Sequence, residues 1–270
     1  MAYDSVVEGP IQEAHMKLIC AGMTDVGKAR DHNEDDFYLS EGNEALCVVA
    51  DGMGGHRSGE VASAMAIKAI VEYYRETMSD TDYESETVNG EDTINLIQRR
   101  LQQAVQSANR AVFTAASDSE LYRGMGTTIV SGYFTNEGVY LAHIGDSRAY
   151  RLRNGKLQQR TEDHSLANEY VRMGILAAED IEYFPYKNVI TRACGLTDEV
   201  EVDVHYEELE PGDIFLFCSD GLTDMVNDRL LEEMLAEGDD LEVLCKKLVD
   251  MANDHGGDDN ITVILAKVAE

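Results

Sequence analysis

Basic residues are scarce in this chain. Lys and Arg number 22 against 52 Asp and Glu over 270 residues, a formal net charge of −30 at pH 7. That balance excludes the basic footprint of a nucleic-acid binder and disfavours attachment to anionic lipid. Long apolar runs are missing too. Ile214–Phe217 and Ile261–Leu265 are far too short to cross a bilayer. Only 3 prolines occur, and with 44% hydrophobic residues this argues for a folded chain rather than a disordered one. The five cysteines (Cys20, Cys47, Cys194, Cys218 and Cys245) are scattered and never spaced C-x-x-C. Neither a disulfide framework nor a zinc site is expected, and those in apolar segments read as small buried hydrophobes. The amino terminus shows no basic stretch followed by an apolar core, so no signal peptide is expected and a reducing cytoplasm is the default location.

Patterning then defines the elements. Residues 1–16 lack any period and read as a flexible extension, leaving 17–270 as a single domain. Short strands are expected at 18–21, 37–39 and 45–50. A helix is expected over 59–78, where Ile67, Ile70, Val71, Tyr74 and Met78 share one face. Residues 76–92 hold seven acids and no base, an exposed loop ending at Asp92 as an N-cap. A second helix follows, with Ile94, Ile97, Leu101, Ala104, Val105, Ala108, Val112 and Ala115 on one face. Strands are expected at 127–134, 139–144 and 148–152, then at 200–205, 214–218 and 261–268. Asn154-Gly155 signals a type I′ hairpin. Residues 164–192 are mixed and partly helical, and helices are expected at 228–236 and 241–253. Strands joined by tight turns imply antiparallel sheets, and the missing βαβ alternation disfavours a doubly wound parallel sheet. The class is α+β, with helices covering sheet faces.

A carboxylate surplus serves solubility, or it collects cations as a hard oxygen-ligand cluster. The placement of individual aspartates separates the two. Asp51-Gly52 directly follows the apolar run 45–50, and Asp220-Gly221 directly follows 214–219. Asp146 ends the run from Val139, and Asp259 precedes the last strand. One acid at a strand end is a turn residue. Four such acids, with Asp-Gly twice after a buried strand, are better explained by metal binding. Arg30-Asp31-His32-Asn33-Glu34-Asp35-Asp36 forms a further polar cluster, in which Arg30 beside the acids suits bidentate recognition of a phosphate.

Eight motifs occur in order. They are Asp25-Val26-Gly27 with Arg30 and Asn33-Glu34-Asp35-Asp36; Val49-Ala50-Asp51-Gly52-Met53-Gly54-Gly55-His56 with Gly59-Glu60-Val61-Ala62-Ser63; and Gly124-Met125-Gly126-Thr127-Thr128. The fourth to sixth are His143-Ile144-Gly145-Asp146-Ser147-Arg148, Thr161-Glu162-Asp163-His164-Ser165-Leu166 and Asn188-Val189-Ile190-Thr191-Arg192-Ala193. Cys218-Ser219-Asp220-Gly221-Leu222-Thr223-Asp224 and Gly257-Asp258-Asp259-Asn260-Ile261-Thr262-Val263 complete the set. Over residues 18–268 the chain resembles the metal-dependent serine/threonine protein phosphatases of type 2C, in their compact bacterial form.

The resemblance implies an αββα sandwich: two packed antiparallel sheets flanked by helix pairs. It implies two Mn²⁺ or Mg²⁺ ions, with Asp51 bridging both, Gly52 offering its carbonyl to one, and Asp220 and Asp259 holding the other. Glu34 and Asp35 would support the site through bound waters, and Arg30 would grip the substrate phosphate. Asp146, with Asp220 and Asp224, would hold a third, weaker ion. One helical turn after the strand would set Asp224 on the same side as Asp220. Residues 164–192 match a mobile flap. Animal-type members carry a histidine directly after the Asp-Gly pair as a candidate general acid; here that residue is Met53, and His56 is the nearest substitute.

The chemistry agrees with that set. Phosphate monoester hydrolysis needs acceleration of up to ~10²¹-fold, whereas one general acid or base supplies only ~10²–10⁴-fold. Two metals roughly 3.5–4 Å apart can make hydroxide near neutral pH and clamp the phosphoryl oxygens. Oxygen ligands suit Mg²⁺ or Mn²⁺. No C-x₅-R loop is present, and Cys218 lacks a basic neighbour in sequence to activate it. The 124–128 segment lacks the lysine and spacing of a Walker loop and reads as a turn feeding a strand. Arg148, Arg151, Arg153, Lys156 and Arg160 form the one basic stretch, either an edge that prevents sheet pairing or a dock for an acidic phosphoprotein. The expected function is dephosphorylation of phosphoserine and phosphothreonine in proteins, opposing a bacterial protein kinase, by a cytoplasmic monomer that binds neither nucleic acid nor membrane. The alternatives are a catalytically inactive phosphatase-like binding module and a plain acidic cation buffer.

Overall fold

The computed structural model describes residues 17–42, 44–54, 58–77, 93–136, 138–238 and 240–269. The extension expected over 1–16, the acidic residues 78–92, Met78 and His56 lie outside the described residues.

Strand alternation explains the layering. In β3 (Ala45–Met53), Leu46, Val48 and Ala50 face one apolar cluster, while Ala45, Cys47 and Val49 face another. A strand buried on both faces reads as a continuous apolar run, which is why 45–50 lacks polar residues. The same two-sided burial holds in β10 (Ile214–Cys218), where Ile214, Leu216 and Cys218 point one way and Phe215 and Phe217 the other.

Five strands, β1 (Leu18–Asp25), β11 (Ile261–Val268), β10, β7 (Arg148–Arg153) and β8 (Lys156–Gln159), form one antiparallel sheet in that spatial order. The second sheet runs β2 (Asp35–Leu39), β3, β5 (Ile129–Phe134), β6 (Gly138–Ile144) and β9 (Asp203–Glu208), with β4 (Gly126–Thr127) paired to the end of β3. Val130, Leu141, Phe215, Phe217 and Ile264 pack between the sheets. Helices α1 (Ser58–Thr77) and α2 (Thr93–Asp118) cover the second sheet, with Ile67, Ile70, Val71 and Tyr74 meeting Leu101, Val105 and Val112. Helices α5 (Asp228–Leu235) and α6 (Leu241–Asp254) cover the first. The expected αββα sandwich is the observed one. Its remaining helices are α3 (Leu166–Arg172) and the single turn α4 (Asp220–Thr223).

Two expected strands differ in extent. The strand expected at 200–205 is β9 at 203–208, whose ladder with β6 runs from His143 opposite Asp203 to Gly138 opposite Glu208. The strand expected over 127–134 breaks at Thr128, whose N–H donates to the Asp51 carbonyl (2.8 Å) and whose hydroxyl accepts the Asp51 N–H (3.1 Å). At the β7–β8 turn both central residues take positive φ, 52° at Asn154 and 73° at Gly155, as a type I′ turn requires.

The basic hairpin is committed internally. Arg148 pairs with Asp163 (2.6 Å), Arg151 and Arg160 with Glu207, Arg153 with Asp213 (2.6 Å) and Lys156 with Glu232 (3.0 Å). β8 is the sheet edge, so the stretch serves as a charged edge strand and offers no uncommitted base to an acidic partner.

Phe217 packs edge-on to Phe134 (6.2 Å) and fills the space over Gly132. Phe217→Ala is expected to cost about 3–5 kcal/mol of stability, measured by urea unfolding. A loss below about 1 kcal/mol would mean that the inter-sheet layer contributes little.

Candidate metal centre

Asp35 and Asp51 are direct cross-strand partners in the β2–β3 ladder. Like charges placed opposite each other weaken a sheet, so this pairing serves something other than stability. Several backbone and side-chain bonds hold it in place. The Asp51 carbonyl accepts from the Thr127 hydroxyl (2.8 Å) as well as from the Thr128 N–H. The Gly52 N–H donates to the Glu34 carbonyl (3.1 Å), which also accepts from Ser63 Oγ of α1 (2.6 Å). A Cβ on Gly52 would lie 2.2 Å from the Gly59 carbonyl oxygen, so the start of α1 can approach this loop only because the residue is glycine.

The other acids arrive from strand ends. Ser219, after β10, donates to Asp35 Oδ2 (2.7 Å) and accepts the Thr262 N–H (3.0 Å), tying the two sheets together beside Asp220. Asn260, before β11, accepts the Glu34 N–H (2.8 Å) and donates to the carbonyls of Val26 and His32 (both 2.9 Å). It thereby staples the loop that carries Arg30. Gly27, at φ 77°, lets that loop pass against Asp259, whose carbonyl oxygen would sit 2.1 Å from any Cβ there. Asp146 leaves β6 next to Ser147, whose hydroxyl bonds that of Thr128 (2.7 Å).

The nine residues expected at the site are thus gathered at one end of the sandwich, where the acids act on one another electrostatically. Burial first, then the charges of Asp35, Asp220, Asp146 and Asp259, raise the Asp51 carboxyl well above its ordinary value. Burial is also the main cause at Asp35 and Asp146, each pushed up to about 7, and at Asp220, pushed up to about 6. Glu34 is raised by burial, an effect that Arg30 opposes. Arg30 is exposed at the rim and donates through Nη2 to Asp259 Oδ2 (2.6 Å). Asp224, also exposed, follows Asp220 by one turn of α4, its N–H bonded to the Asp220 carbonyl (2.8 Å). Its carboxylate accepts from Asn188 Nδ2 (3.1 Å) and lies near Lys187 Nζ (3.9 Å).

The donor set fits a divalent cation. Asp35 and Asp146 are 8% and 9% exposed, and one buried oxygen on each of Asp35, Asp146 and Asp220 has no hydrogen-bond partner. Buried carboxylate oxygens without donors are costly unless a cation takes the place of water. The available donors are all oxygen, a hard set suited to a divalent cation.

The sequence assigns no role to Ser219 or Asn260, and to Thr128 only a place in the 124–128 turn, although all three fall inside the quoted motifs. The only signal was a polar residue next to a buried strand. In sequence Cys218 lacks a basic neighbour. In the ladder Cys218 sits opposite Arg148, but burial still pushes its thiol up to about 12 because Asp163 already engages that arginine.

His143, His164 and Asp203 form a second cluster with metal-like ligand types. Its hydrogen bonds argue against a cation. The Gly145 N–H donates to His164 Nδ1 (3.1 Å), which places the His164 proton on Nε2, facing Asp203 Oδ2 at 3.3 Å. Asp203 is in turn paired with Arg192 (2.8 Å). The imidazoles stack at 4.6 Å and 15°, so their in-plane lone pairs run side by side rather than converging. The cluster braces Gly145, and hence Asp146, against residues 164–192.

The fold thus gathers an all-oxygen acid set that fits a divalent cation, with Arg30 at its rim. Residues 27–266 match the family model described as protein phosphatase 2C. The chain is 38% identical over 246 residues to the serine/threonine phosphatase Stp of Listeria monocytogenes, covering 90% of this chain and 93% of that one. The serine/threonine phosphatase PstP/Ppp of Mycobacterium tuberculosis superposes with a TM-score of 0.81 at 33% identity, covering 94% of this chain and 100% of that one. The catalytic domain of PstP in complex with two manganese ions superposes with a TM-score of 0.78 at 33% identity, over 94% of this chain and 100% of that one. The chain belongs to the protein phosphatase 2C family.

The raised carboxyls give a pH signature. Asp35, Asp146 and Asp220 keep protons in the folded chain up to pH 6–7, whereas unfolded carboxyls release them near 3.8. Their stabilising contribution is therefore full below the unfolded value and is lost as pH rises through the folded values. A cation replaces those protons. The gain in Tm from a fixed Mn²⁺ concentration is expected to grow between about pH 5 and pH 7.5, with proton release on binding. Comparison at each pH cancels the opposite trend of His143, which burial pushes down to about 4. A gain independent of pH would contradict this account of the acids.

Proposed function

We propose that this protein is a divalent-cation-dependent serine/threonine protein phosphatase that hydrolyses phosphate monoesters on phosphoproteins. One observation carries the reading: carboxylates from separate strand ends converge with unpartnered buried oxygens, and Arg30 stands at their exposed rim. Two Mn²⁺ or Mg²⁺ ions, when bound, supply Lewis acidity toward water and the phosphoryl oxygens.

The chain's own residues do the rest. Asp51, fixed by Thr127 and Thr128, would hold both cations, the Gly52 carbonyl would help to hold one, and Asp220 and Asp259 the other. Glu34 and Asp35 would orient water around them. Arg30 has five N–H donors and gives only part of its fork to Asp259, so it can also hold a phosphate. Asp146, Asp220 and Asp224 would hold a third, weaker cation. Met53 has no proton to give the leaving oxygen, so the residue after Asp51-Gly52 is not the general acid. Residues 17–270 form one catalytic domain. A protein kinase that supplies the phosphorylated substrates is the opposing partner, and the enzyme acts as a cytoplasmic monomer. No helix among the described residues is long and apolar enough to cross a membrane.

Asp51→Asn keeps the side-chain shape but removes the bridging charge. It is expected to abolish Mn²⁺-dependent release of nitrophenol from nitrophenyl phosphate while the circular dichroism spectrum is retained. Near-normal turnover at saturating Mn²⁺ would remove Asp51 from the site, and an inactive wild type would favour a binding module instead. Arg30→Ala removes charge-assisted bonds worth about 1.5–3 kcal/mol and is expected to raise KM by roughly 10- to 150-fold, with Arg30→Lys rescuing only in part. An unchanged KM would make Arg30 a solvated surface residue.

A further inference from the structure

Beside the metal centre lies a cavity of about 680 Å³, walled by residues 163–188 on one side and by α4 and the start of α5 on the other. Asp146 and Asp220 reach into its inner end. Its charge is lopsided. Arg148 faces it but is held bidentately by Asp163, and Lys187 is drawn to Asp224. Glu179 and Glu182, on the 3-10 turn Ala178–Tyr183, line the outer wall, are exposed, and have no cationic partner among the described residues. Among the described residues, Asp228 accepts a side-chain hydrogen bond only from the neutral Tyr150 hydroxyl (3.0 Å). At the inner end the cavity opens onto Asp146, 9% exposed, whose unpartnered buried oxygen is one of those open to a cation. A cation held by Asp146, Asp220 and Asp224 neutralises the inner end only and leaves Glu179, Glu182 and Asp228 uncompensated.

Resting on the phosphatase reading above, we infer that this cavity selects substrates by charge: it takes lysine or arginine side chains lying within a few residues of the phosphoserine or phosphothreonine. The phosphate itself is drawn to Arg30 and the cations, so a good substrate is a phosphoresidue in a basic segment. An acidic segment meets Glu179 and Glu182 and is repelled. Those glutamates stand on the flap side of the cavity, outside the metal-binding set, so substrate choice and catalysis are separable.

The test uses two phosphothreonine peptides, identical except for lysines or glutamates on both sides of the phosphoresidue, together with nitrophenyl phosphate. The wild type is expected to favour the lysine peptide in kcat/KM by roughly three- to tenfold at low salt, the preference shrinking as salt screens it. The double variant Glu179→Gln, Glu182→Gln is expected to lose the preference while its rate on nitrophenyl phosphate and its Mn²⁺ requirement stay at wild-type values. Equal use of both peptides by the wild type overturns the inference, as does a preference that survives in the double variant, which would come from the −30 net charge of the whole chain. A changed Mn²⁺ requirement in the variant assigns these glutamates to cation binding and overturns it too. If neither nitrophenyl phosphate nor a peptide is hydrolysed, the phosphatase reading itself fails and takes this inference with it.

Discussion

Mutual repulsion among buried carboxylates is the constraint that the rest of this structure answers to. Asp35, Asp51, Asp146 and Asp220 stand together where burial and one another's charge oppose ionisation. Left free, such groups would move apart toward water. Here they cannot. Asp35 and Asp51 are locked in a ladder, Asp220 opens a helical turn straight out of a core strand, and Asp146 leaves a buried strand beside the Thr128–Ser147 hydroxyl pair. The sandwich therefore supplies rigidity, and two protons or a divalent cation can relieve what rigidity imposes. Pre-organisation of this kind lets the charge be present before a phosphoester arrives.

The polar residues around the acids are the means by which that rigidity reaches them. Asn260 satisfies backbone groups of Val26, His32 and Glu34 at once, so the Arg30 loop is set by β11 rather than by its own sequence. Ser219 links Asp35 in one sheet to Thr262 in the other. Residues 164–192 are tied in by the same logic. Thr127 and Cys194 exchange backbone hydrogen bonds (3.0 and 2.8 Å), and His164 holds Gly145 through both its ring and its backbone N–H. The base of the flap segment is thus anchored beside Asp51 and beside Asp146, while its outer part overhangs the acidic cavity.

The large negative charge now divides into parts with different uses. Glu207, Asp213, Glu232 and Asp163 are spent on the basic hairpin, which explains why five bases in a row produce no basic surface. The strand-end aspartates gather at one end of the sandwich with buried oxygens suited to a cation. Glu179 and Glu182, on the wall of the neighbouring cavity, have no cationic partner among the described residues.

Much of this was legible in the chain. The apolar runs at 45–50, 214–218 and 261–268 mark strands buried on both faces, because only such strands can dispense with alternation. The helical faces of α1 and α2, the Asn154-Gly155 turn and the Asp-Gly pairs are local signals that depend on near neighbours, and local signals are written directly in sequence. The extent of β9, the break at Thr128, the pairing of every base in the hairpin, and the work of Ser219 and Asn260 were not legible. Each depends on a partner distant in sequence: β9 needs β6, Arg153 needs Asp213, and Asn260 needs Glu34. The residue types and order of a cation site were therefore set by the sequence alone. Which carboxylates lost their water, which bases were already spoken for, and which glutamates stayed free were decided only when the two sheets closed, because burial and charge pairing are properties of neighbours in space.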